Sequence, residues 1–322
     1  MGRYVLKRML TGLLTIFVVL ILNFLLIHLA PGDPIRVLAG YDHPSEQMVV
    51  AMQEKYGLNK PLTVQFTSYL GNLMKGDLGE SIAYRLPVLQ VILSRLGPSA
   101  LLALTSAVLA LVLGTLLGLI AARHADSPLD HLISGCSYFF YSMPPFWLGL
   151  MAILVFASFL KLLPTSGMVD LRHDAQGVGY ALDVLRHMIL PVGTLTLIQI
   201  PVYMRIFRTS VMHTMTEEFI TTFRAAGMKE KKIFKKYILK NSILPTITVF
   251  GINLAYTVTG AALIEIVFAW PGVGRLMLDA ISGRDYPLLM GIYLMLSVAV
   301  AVVMIALDIV YALVDPRIRY SK

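Results

Sequence analysis

Few residues of this 322-residue chain have the types and spacing that chemistry requires. Its seven histidines are scattered without the spacing of metal ligands, and the single cysteine, Cys136, excludes an internal disulfide bond. The chain has no G-x-x-x-x-G-K-S/T phosphate loop, and Glu265 and Asp308 lie near opposite ends of different apolar runs. These features argue against an intramembrane protease or transferase. We therefore expect a protein that is not an enzyme and that holds no metal or cofactor of its own.

Four polar residues interrupt otherwise apolar runs, namely Asn23, Gln199, Asn253 and Glu265. Polar side chains at membrane depth are costly, so they are candidates for function. For the first three, hydrogen bonds between neighbouring helices explain the residues at least as well as a place along a membrane pathway. Glu265 is the stronger functional candidate, because it stands just ahead of Trp270 near the end of its run.

The most distinctive segment is a basic one, residues 217–245, set between two long apolar runs. Thr214 and Glu217 have the spacing of a capping box, which predicts that a short helix of about ten residues begins here. Gly227 can end that helix in a left-handed conformation. A second helix is predicted to follow and to run into the next apolar run at Pro245.

Both predicted helices of this segment are amphipathic. In the first, Phe219 and Phe223 stand four residues apart, which predicts an exposed aromatic pair on one face. The second has an apolar stripe formed by Ile233, Phe234, Tyr237 and Ile238. It also has a basic face formed by Lys231, Lys232, Lys235, Lys236 and Lys240. The lysines alone suit contact with anionic lipid. The helix–glycine–helix arrangement suits insertion into a groove of a partner protein.

Composition places these segments in a membrane protein. Hydrophobic residues make up 57% of the chain, charged residues 14%, and the mean hydropathy is +0.73, whereas soluble domains carry about 25% charge. A helix needs roughly 20 apolar residues to cross the hydrocarbon core. Six runs are candidates: Met9–Leu29, Ser99–Ala122, Ser134–Leu160, Leu190–Arg205, Thr246–Phe268 and Pro287–Val314. The sequence thus predicts an all-α membrane protein with six transmembrane helices.

The distribution of basic residues predicts the orientation. More than half of the 27 Lys and Arg residues lie in the N-terminus, the loop with Arg123, the basic segment and the C-terminal tail. The positive-inside rule places these parts, and both termini, in the cytoplasm. The same bias accounts for the net charge of +8, so we expect no nucleic acid partner. The first apolar run is too long for the core of a signal peptide and is interpreted as an uncleaved span.

The predicted outer segment between the first two spans, residues 30–98, is balanced in charge. Ser45 can begin a helix that stops at Gly57, and Pro61 a second helix that stops at Gly76. We interpret this extracytoplasmic insertion as a helical lid on the outer membrane face, with a ligand site as the alternative.

Two further patterns concern the packing of the spans. Gly114 and Gly118 allow close helix contact, either inside this chain or at a seam with another chain. Pro144 and Pro145 predict a kink in the third span, because proline removes a backbone donor and clashes with the preceding turn.

The basic segment resembles the cytoplasmic loop of bacterial ABC importer permeases, most closely those of the dipeptide, oligopeptide and nickel family. In that family a T-x-R-A-x-G pattern is followed at a fixed distance by a hydrophobic pair and a proline. Here Thr222, Arg224, Ala225 and Gly227 match the first part, and 244–245 the second. The wider ABC-importer pattern has Glu-Ala-Ala where this chain has Thr-Thr-Phe at 221–223, which favours the peptide and nickel branch.

Other segments resemble the same family in the same order along nearly the whole chain. They are 30–34 (APGDP), 57–62 (GLNKPL), 76–79 (GDLG), 142–147 (SMPPFW), 265–276 (EIVFAWPGVGRL), 284–287 (RDYP) and 315–317 (DPR). This resemblance is specific for the family but does not identify the substrate.

The resemblance implies a type I ABC importer permease fold in the inner (plasma) membrane, as a multi-pass subunit. It implies a second, homologous but distinct permease, two cytoplasmic ATPases that bind ATP and Mg, and an extracytoplasmic binding protein that delivers substrate. Short peptides are the expected cargo, with nickel or another metal chelate as the alternative. A carrier that works without ATP is a further alternative, but the ion-coupling carboxylates or inverted repeat that it would need are not evident.

The resemblance also implies roles for particular residues. The short helix before Gly227 would be the coupling helix that contacts an ATPase, with the contact residues Glu218, Phe219, Phe223, Arg224, Ala225, Gly227 and Pro245. Candidates for the gate or pathway are Glu265, Trp270, Asn253 and Gln199, and Glu265 would shape the outer gate or meet the binding protein. The expected parts of the chain are 1–94, with the first span and the outer helical segment; 95–314, the five-helix core with the coupling loop at about 214–245; and a cytoplasmic tail, 315–322.

Overall fold

The computed structural model describes residues 2–29, 50, 59–172 and 176–314, with side chains for 9–25, 50, 59–172, 176–254 and 261–306. Within these residues the chain is helical, and its one β-type contact is an isolated bridge between Glu80 and Pro87. The predicted all-α class is confirmed for this part of the chain. The fold has two units, one of Met1–Ser99 with Pro271–Ile305 and the other of Ala100–Trp270 with Ala306–Lys322.

Within the described residues the chain forms twelve α-helices. In chain order they are α1 (Gly2–Leu29), α2 (Leu62–Leu73), α3 (Val88–Arg123), α4 (Pro128–Tyr141), α5 (Pro145–Ala152), α6 (Val178–Met215), α7 (Glu218–Ala225), α8 (Glu230–Ile233), α9 (Leu239–Gly260), α10 (Ala262–Val267), α11 (Val273–Ser282) and α12 (Tyr286–Val314). Two π-helical segments, Ile153–Phe159 and Phe234–Ile238, continue α5 and α8.

Each predicted span coincides with helical structure, although not always with one helix. In the described part of the chain, α3, α6 and the first 21 residues of α12 are long and apolar enough to cross a membrane. The bent pair of α4 with α5 and its π-helical extension would make a fourth span. In α1 the described apolar stretch, Met9–Leu25, is shorter. The count of six spans and the cytoplasmic side of both termini stay predictions.

The third predicted span is broken rather than only kinked. Its two halves, α4 and the α5 helix that continues to Phe159, meet at an angle of 101°. Pro145 is the first residue of α5, where its missing N–H leaves no helical hydrogen bond unmade. The kink expected at the two prolines is confirmed, and the chain starts a new helix there.

Gly114 and Gly118 of α3 pack directly against α6 inside the second unit. A Cβ on Gly114 would lie 2.7 Å from the Cβ of Tyr203, and one on Gly118 would lie 2.6 Å from the carbonyl oxygen of Met204. No side chain fits at either position, because the neighbours are helix backbone or the base of a buried side chain. The two glycines therefore serve the packing of this chain, which decides between the two alternatives left by the sequence.

We expect Gly118→Leu to prevent stable folding, with a loss of about 3 kcal/mol in the free energy of unfolding, because α3 and α6 would have to move apart. The matched control is Gly135→Leu in α4, since a Cβ at Gly135 meets nothing within 4 Å. Thermal unfolding in detergent, followed by size-exclusion chromatography, measures both variants. Equal melting temperatures for the two would contradict the close packing.

The first unit is built on the start of α3 and on α11 and α12. Val88 and Ile92 are buried with Leu276, Leu288 and Ile292. Beside them lies the buried carboxylate of Asp285, which accepts hydrogen bonds from Ser81 Oγ (2.6 Å) and from the backbone N–H groups of Ala83 (3.0 Å) and Leu288 (3.1 Å). This side chain fixes the segment before α3 to the turn between α11 and α12.

The outer helix predicted from Pro61 is confirmed as α2. Pro61 precedes its first residue, and Gly76, with φ of +77°, follows its end. The ring of Phe66 packs against Phe24 of α1 at a centroid distance of 5.0 Å. The helix predicted to begin at Ser45 lies outside the described residues.

Candidate functional site

The candidate coupling helix, α7, begins later than the capping box predicted. The preceding helix α6 continues through Thr214 to Met215, and Glu217 precedes α7 without a side-chain cap. Thr214 donates its hydroxyl to the carbonyl of Ser210 (2.8 Å) and accepts a hydrogen bond from Ser242 of α9 (3.1 Å). The prediction of a capping box was therefore wrong, because the Thr214 hydroxyl bonds within α6 and to α9 instead of capping the first turn of α7.

The end of α7 at Gly227 is confirmed in detail. Gly227 has φ of +73°. The N–H of Met228 donates to the carbonyl of Phe223 (3.1 Å), and the N–H of Gly227 donates to the carbonyl of Arg224 (3.0 Å). These two bonds form a Schellman motif, which satisfies carbonyl groups at the helix end and turns the chain sharply toward α8.

The inner face of α7 packs on its own chain. Ile220 is fully buried in a cluster with Phe207 and Val211 of α6 and with Ile233 and Ile238 of the following helices. This cluster makes α7 a fixed part of the structure, joined to the ends of α6 and α9, rather than a free loop.

The two phenylalanines of α7 have different environments. The Phe223 ring is half-buried and lies 4.3 Å from the ring of Tyr237, centroid to centroid. Phe219 is 37% exposed and meets Phe223 edge to face at 6.1 Å. The prediction of an exposed aromatic pair is thus wrong for Phe223, because the chain after Gly227 folds back and covers it.

The outer surface of α7 and its turn is what a partner could contact. Its exposed residues are Glu218, Phe219, Thr221, Thr222, Arg224, Ala225, Ala226 and Gly227. They combine one aromatic side chain, small residues and few charges. The guanidinium of Arg224 donates to Glu230 across the turn (2.7 Å). This arrangement suits a shallow protein groove, in which small residues allow close approach.

The basic face beside α7 is exposed along α8 and the π-helical segment. Four of its predicted members lie there, namely Lys231, Lys232, Lys235 and Lys236, and the fifth, Lys240, is exposed at the start of α9. Arg123, the last residue of α3, lies with its guanidinium 4.5 Å from the centre of the Phe234 ring. Pro245 is exposed and lies inside α9, six residues after the first residue of that helix. The second helix of the segment thus continues past Pro245 into the apolar run, and the entry to the fifth span at Pro245 stays a prediction.

Glu265 and Trp270 lie inside the second unit rather than on its surface. The Glu265 side chain is 1% exposed, and Trp270 is fully buried with Ile264 and Phe268. The backbone N–H of Trp270 donates to the backbone carbonyl of Glu265 (2.7 Å) across a turn in which Ala269 has φ of +48°. This burial favours the predicted role of Glu265 in shaping the outer gate over direct contact with a binding protein. Both roles stay predictions.

The other two pathway candidates bond within the helix bundle. Asn253 of α9 donates to the hydroxyl of Tyr203 on α6 (3.4 Å), and Gln199 donates to the carbonyl of Leu195 one turn earlier in α6 (3.2 Å). The contact of Asn253 with Tyr203 is an interhelical hydrogen bond, which was the predicted alternative to a place along the pathway. Among the described residues, no group of three or more His, Cys, Asp or Glu is placed to hold a metal ion.

Sequence comparison identifies the family to which this arrangement belongs. The family model for the inner membrane component of binding-protein-dependent transport systems matches residues 114–320, and the model for the N-terminal part of that component matches residues 1–103. The chain is a member of this permease family. It is accordingly a multi-pass protein of the inner membrane and a permease subunit of an ABC importer.

Curated relatives match the permease along its whole length. It is 36% identical over 322 residues to the di/tripeptide transport system permease protein DppB of Pseudomonas aeruginosa, covering 96% of each chain. It is 35% identical to the oligopeptide transport system permease protein AppB of Bacillus subtilis, covering 99% of this chain and all of that one. The dipeptide transport system permease protein DppB of Escherichia coli K12 is 32% identical over the full length of both chains.

A solved structure supports the fold. The inward-facing methionine ABC transporter MetNI matches with a TM-score of 0.57 at 16% identity, over 70% of this chain and 97% of that one. The match agrees with the type I importer fold expected from the sequence.

An ion pair in the permease escaped the sequence analysis. Arg208 of α6 donates to both carboxylate oxygens of Asp130 in α4, at 2.8 and 2.6 Å. The backbone N–H of Asp126 (3.0 Å) and the hydroxyl of Ser134 (3.4 Å) donate to the same carboxylate. Asp130 is 2% exposed and Arg208 24%. The two residues stand 78 positions apart, so no local spacing could reveal the pair.

The Asp130 carboxylate lies ahead of the predicted span Ser134–Leu160. The hydrogen bonds from Arg208 lower its pKa below the ordinary value of 3.8, against an opposing effect of burial. The carboxylate is therefore charged at neutral pH. It fixes the start of α4 to the part of α6 that leads into α7.

Proposed function

We propose that this permease forms half of the membrane pathway of an ATP-driven importer of short peptides and that α7 is its coupling helix. The observation that carries the proposal is the geometry of α7: its inner face is packed on α6 and α9, while its outer face stays exposed. The three relatives named above are described as peptide permeases. Their descriptions support peptides as cargo rather than a nickel chelate.

The proposed complex contains four kinds of protein. A second, homologous but distinct permease completes the pathway, an extracytoplasmic binding protein delivers the peptide, and two ATPases bind ATP and Mg in the cytoplasm. ATP acts on the permease only through the ATPases. ATP binds the closed ATPase pair more tightly than the open pair. The difference between these two binding free energies sets how far ATP shifts the permease between inward-facing and outward-facing states.

The packing of α7 suggests how this shift reaches the membrane. Ile220 and Phe223 are embedded among side chains of α6 and of the helices that lead into α9. A displacement of α7 by an ATPase would therefore move the cytoplasmic ends of both helices together, since packed side chains transmit movement with little slack. In this proposal Glu265 and Trp270 shape the outer end of the pathway, and Asn253 holds α9 to α6.

Replacing Phe219 by aspartate tests the coupling surface. Because Phe219 is 37% exposed, we expect the variant to fold, but its association with the ATPases should fall by at least tenfold, since the charge would be desolvated in an apolar groove. Co-purification of ATPases with the tagged permease from native membranes measures this. Tyr84→Asp, at a tyrosine that is also 37% exposed but lies outside the coupling loop, is the matched control.

The outcome would differ for Phe223→Asp, which puts a carboxylate against Tyr237 inside the chain and should disturb the loop itself. If the Phe219 variant kept its full complement of ATPases, α7 would not be the contact. If the wild-type chain brought down no ATPase under several mild detergents, a carrier that works without ATP would replace the proposal.

A further inference from the structure

A cavity of about 460 Å³ lies in the second unit, between the broken third span and α6. One wall includes Val155 and Phe156 of the π-helical segment, and the other includes Ile189 and Gly193 of α6. The walls are almost entirely apolar. The one hydroxyl group of the lining belongs to Thr194, and it donates to the carbonyl of Leu190 in its own helix (2.8 Å).

The position of the cavity indicates what it can hold. Val155, Phe156 and Ile189 are exposed, so the cavity opens onto an apolar surface. Its walls belong to the predicted third span and the outer part of the fourth. A peptide in this space would leave its backbone N–H and C=O groups without partners, which is costly in an apolar medium. A hydrocarbon chain has no hydrogen bonds to lose on entering the cavity, so it is the ligand that the apolar walls favour.

One cationic side chain lies beside the cavity wall, and a second cationic residue directly precedes that part of the chain. The guanidinium of Arg186 donates to the carbonyl of Leu162 (3.1 Å), which places it beside Leu163 of the cavity wall. Lys161 precedes this pair of leucines, and both cations are exposed.

Two carboxylates of this region that the structure describes, Asp170 and Asp183, already have partners. Asp170 is paired with Arg172 (2.8 Å), and Asp183 accepts from the Asp170 N–H (2.7 Å) and lies 3.2 Å from His187. Within the described residues, no ion pair engages Lys161 or Arg186. Their charges are therefore available to an anion from outside the chain.

The backbone supports a role for Lys161. The π-helical segment ends with bonds from the N–H of Leu160 to the carbonyl of Val155 and from the N–H of Leu162 to the carbonyl of Phe156, both 2.9 Å. The reversal between them places Lys161 at φ of +54°, where glycine would fit without strain. Residues other than glycine are uncommon at such an angle, which singles out Lys161 as a residue to test.

We propose that this cavity binds an acyl chain of an anionic phospholipid whose phosphate contacts Lys161 and Arg186. The apolar walls select the hydrocarbon, and the two cations select the charge of the head group. The lipid would fill the gap that the break in the third span leaves beside α6.

Two variants separate the parts of this site. Gly193→Leu should fill the cavity without disturbing α6, because a Cβ at Gly193 meets no atom within 4 Å. Lys161→Gly combined with Arg186→Gln removes both charges and also relieves the backbone at residue 161. Lys75→Gln, at an exposed lysine of the other unit, is the control.

The full chain, in mild detergent with the subunits that stay bound, is titrated with phosphatidylglycerol and, separately, with phosphatidylcholine. Bound lipid is counted by native mass spectrometry. We expect one tightly held phosphatidylglycerol on the wild type, a roughly thirtyfold weaker affinity in the double variant from two lost charges, and no such binding in Gly193→Leu. Lys75→Gln should bind as the wild type does.

Three results would overturn the proposal. The first is phosphatidylglycerol binding that Gly193→Leu leaves intact, and the second is equal affinity of the double variant and the wild type. The third is displacement of the lipid by dialanine, which would place the cavity on the route of the substrate. Lipid binding does not require an ATPase. These experiments therefore test the lipid site independently of the coupling role proposed for α7.

Discussion

Asp130→Asn should lower the free energy of unfolding of the permease by about 3 kcal/mol, the lower end of the cost of breaking a buried ion pair. The amide can still accept one hydrogen bond from Arg208, but it carries no charge. The Arg208 guanidinium is 24% exposed and keeps its charge in this variant. Few water molecules can reach it to replace the lost interaction with the carboxylate. Thermal unfolding of the detergent-solubilised protein at neutral pH measures the loss.

The matched control is Asp126→Asn, an identical change of chemistry at an exposed site four residues earlier. Asp126 has φ of +61°, which asparagine adopts as readily as aspartate, so this variant should unfold like the wild type. A double-mutant cycle with Arg208→Gln then isolates the pair. If the two residues act as a unit, the double variant will lose about as much as either single one, whereas additive losses would show that each acts through other contacts.

The pH dependence of stability should change in the same variant. A carboxylate whose pKa is lowered in the folded state stabilises that state above its ordinary pKa of 3.8, and this stabilisation is lost as the pH falls below that value. The wild type should therefore lose stability more steeply than Asp130→Asn as the pH falls from about 5 to about 3, and the two proteins should show parallel curves above that range. Parallel stability curves for the two proteins within that range would contradict a charged Asp130 in the fold.

The helices of the permease were predictable from composition and apolar run length because membrane depth limits which residues can stand in a span. The positions of glycine and proline predicted where particular helices end or begin. Gly227 ends α7 as expected, and Pro145 begins a helix after the predicted kink. At these positions the backbone conformation depends on the residue itself and on its immediate neighbours.

Contacts between distant parts of the chain were not predictable. Thr214 and Glu217 have the spacing of a capping box, but Ser242, 28 residues later, engages the threonine hydroxyl. Phe223 has the pattern of an exposed residue until Tyr237 covers it. The pair of Asp130 with Arg208 likewise depends on how two helices meet. Periodicity shows which side of a helix is apolar, but it does not show which neighbour will lie there.

Gly227→Val should reduce transport to about a tenth of the wild-type rate or less while the protein still inserts and folds. A Cβ at Gly227 meets nothing within 4 Å, so the added side chain has space, and the only obstacle is the backbone angle of +73°. The left-handed conformation costs L-residues about 1–2 kcal/mol, and β-branched side chains are the least tolerant of it. That cost disfavours the Schellman turn, which sets the orientation of α7 relative to α8. Transport by reconstituted proteoliposomes, with ATPase activity recorded in parallel, measures the effect.

Gly227→Asn separates conformation from contact. Asparagine visits the left-handed region far more readily than valine, and its side chain would enter the same open space. If the backbone angle is what matters, the asparagine variant will transport at close to the wild-type rate while the valine variant fails. If both fail equally, the bare surface of glycine is needed for a partner to approach closely, and the turn geometry is secondary. If both transport normally, the orientation of α7 does not control coupling, and the coupling assignment is lost even though its inner face is packed on α6 and α9.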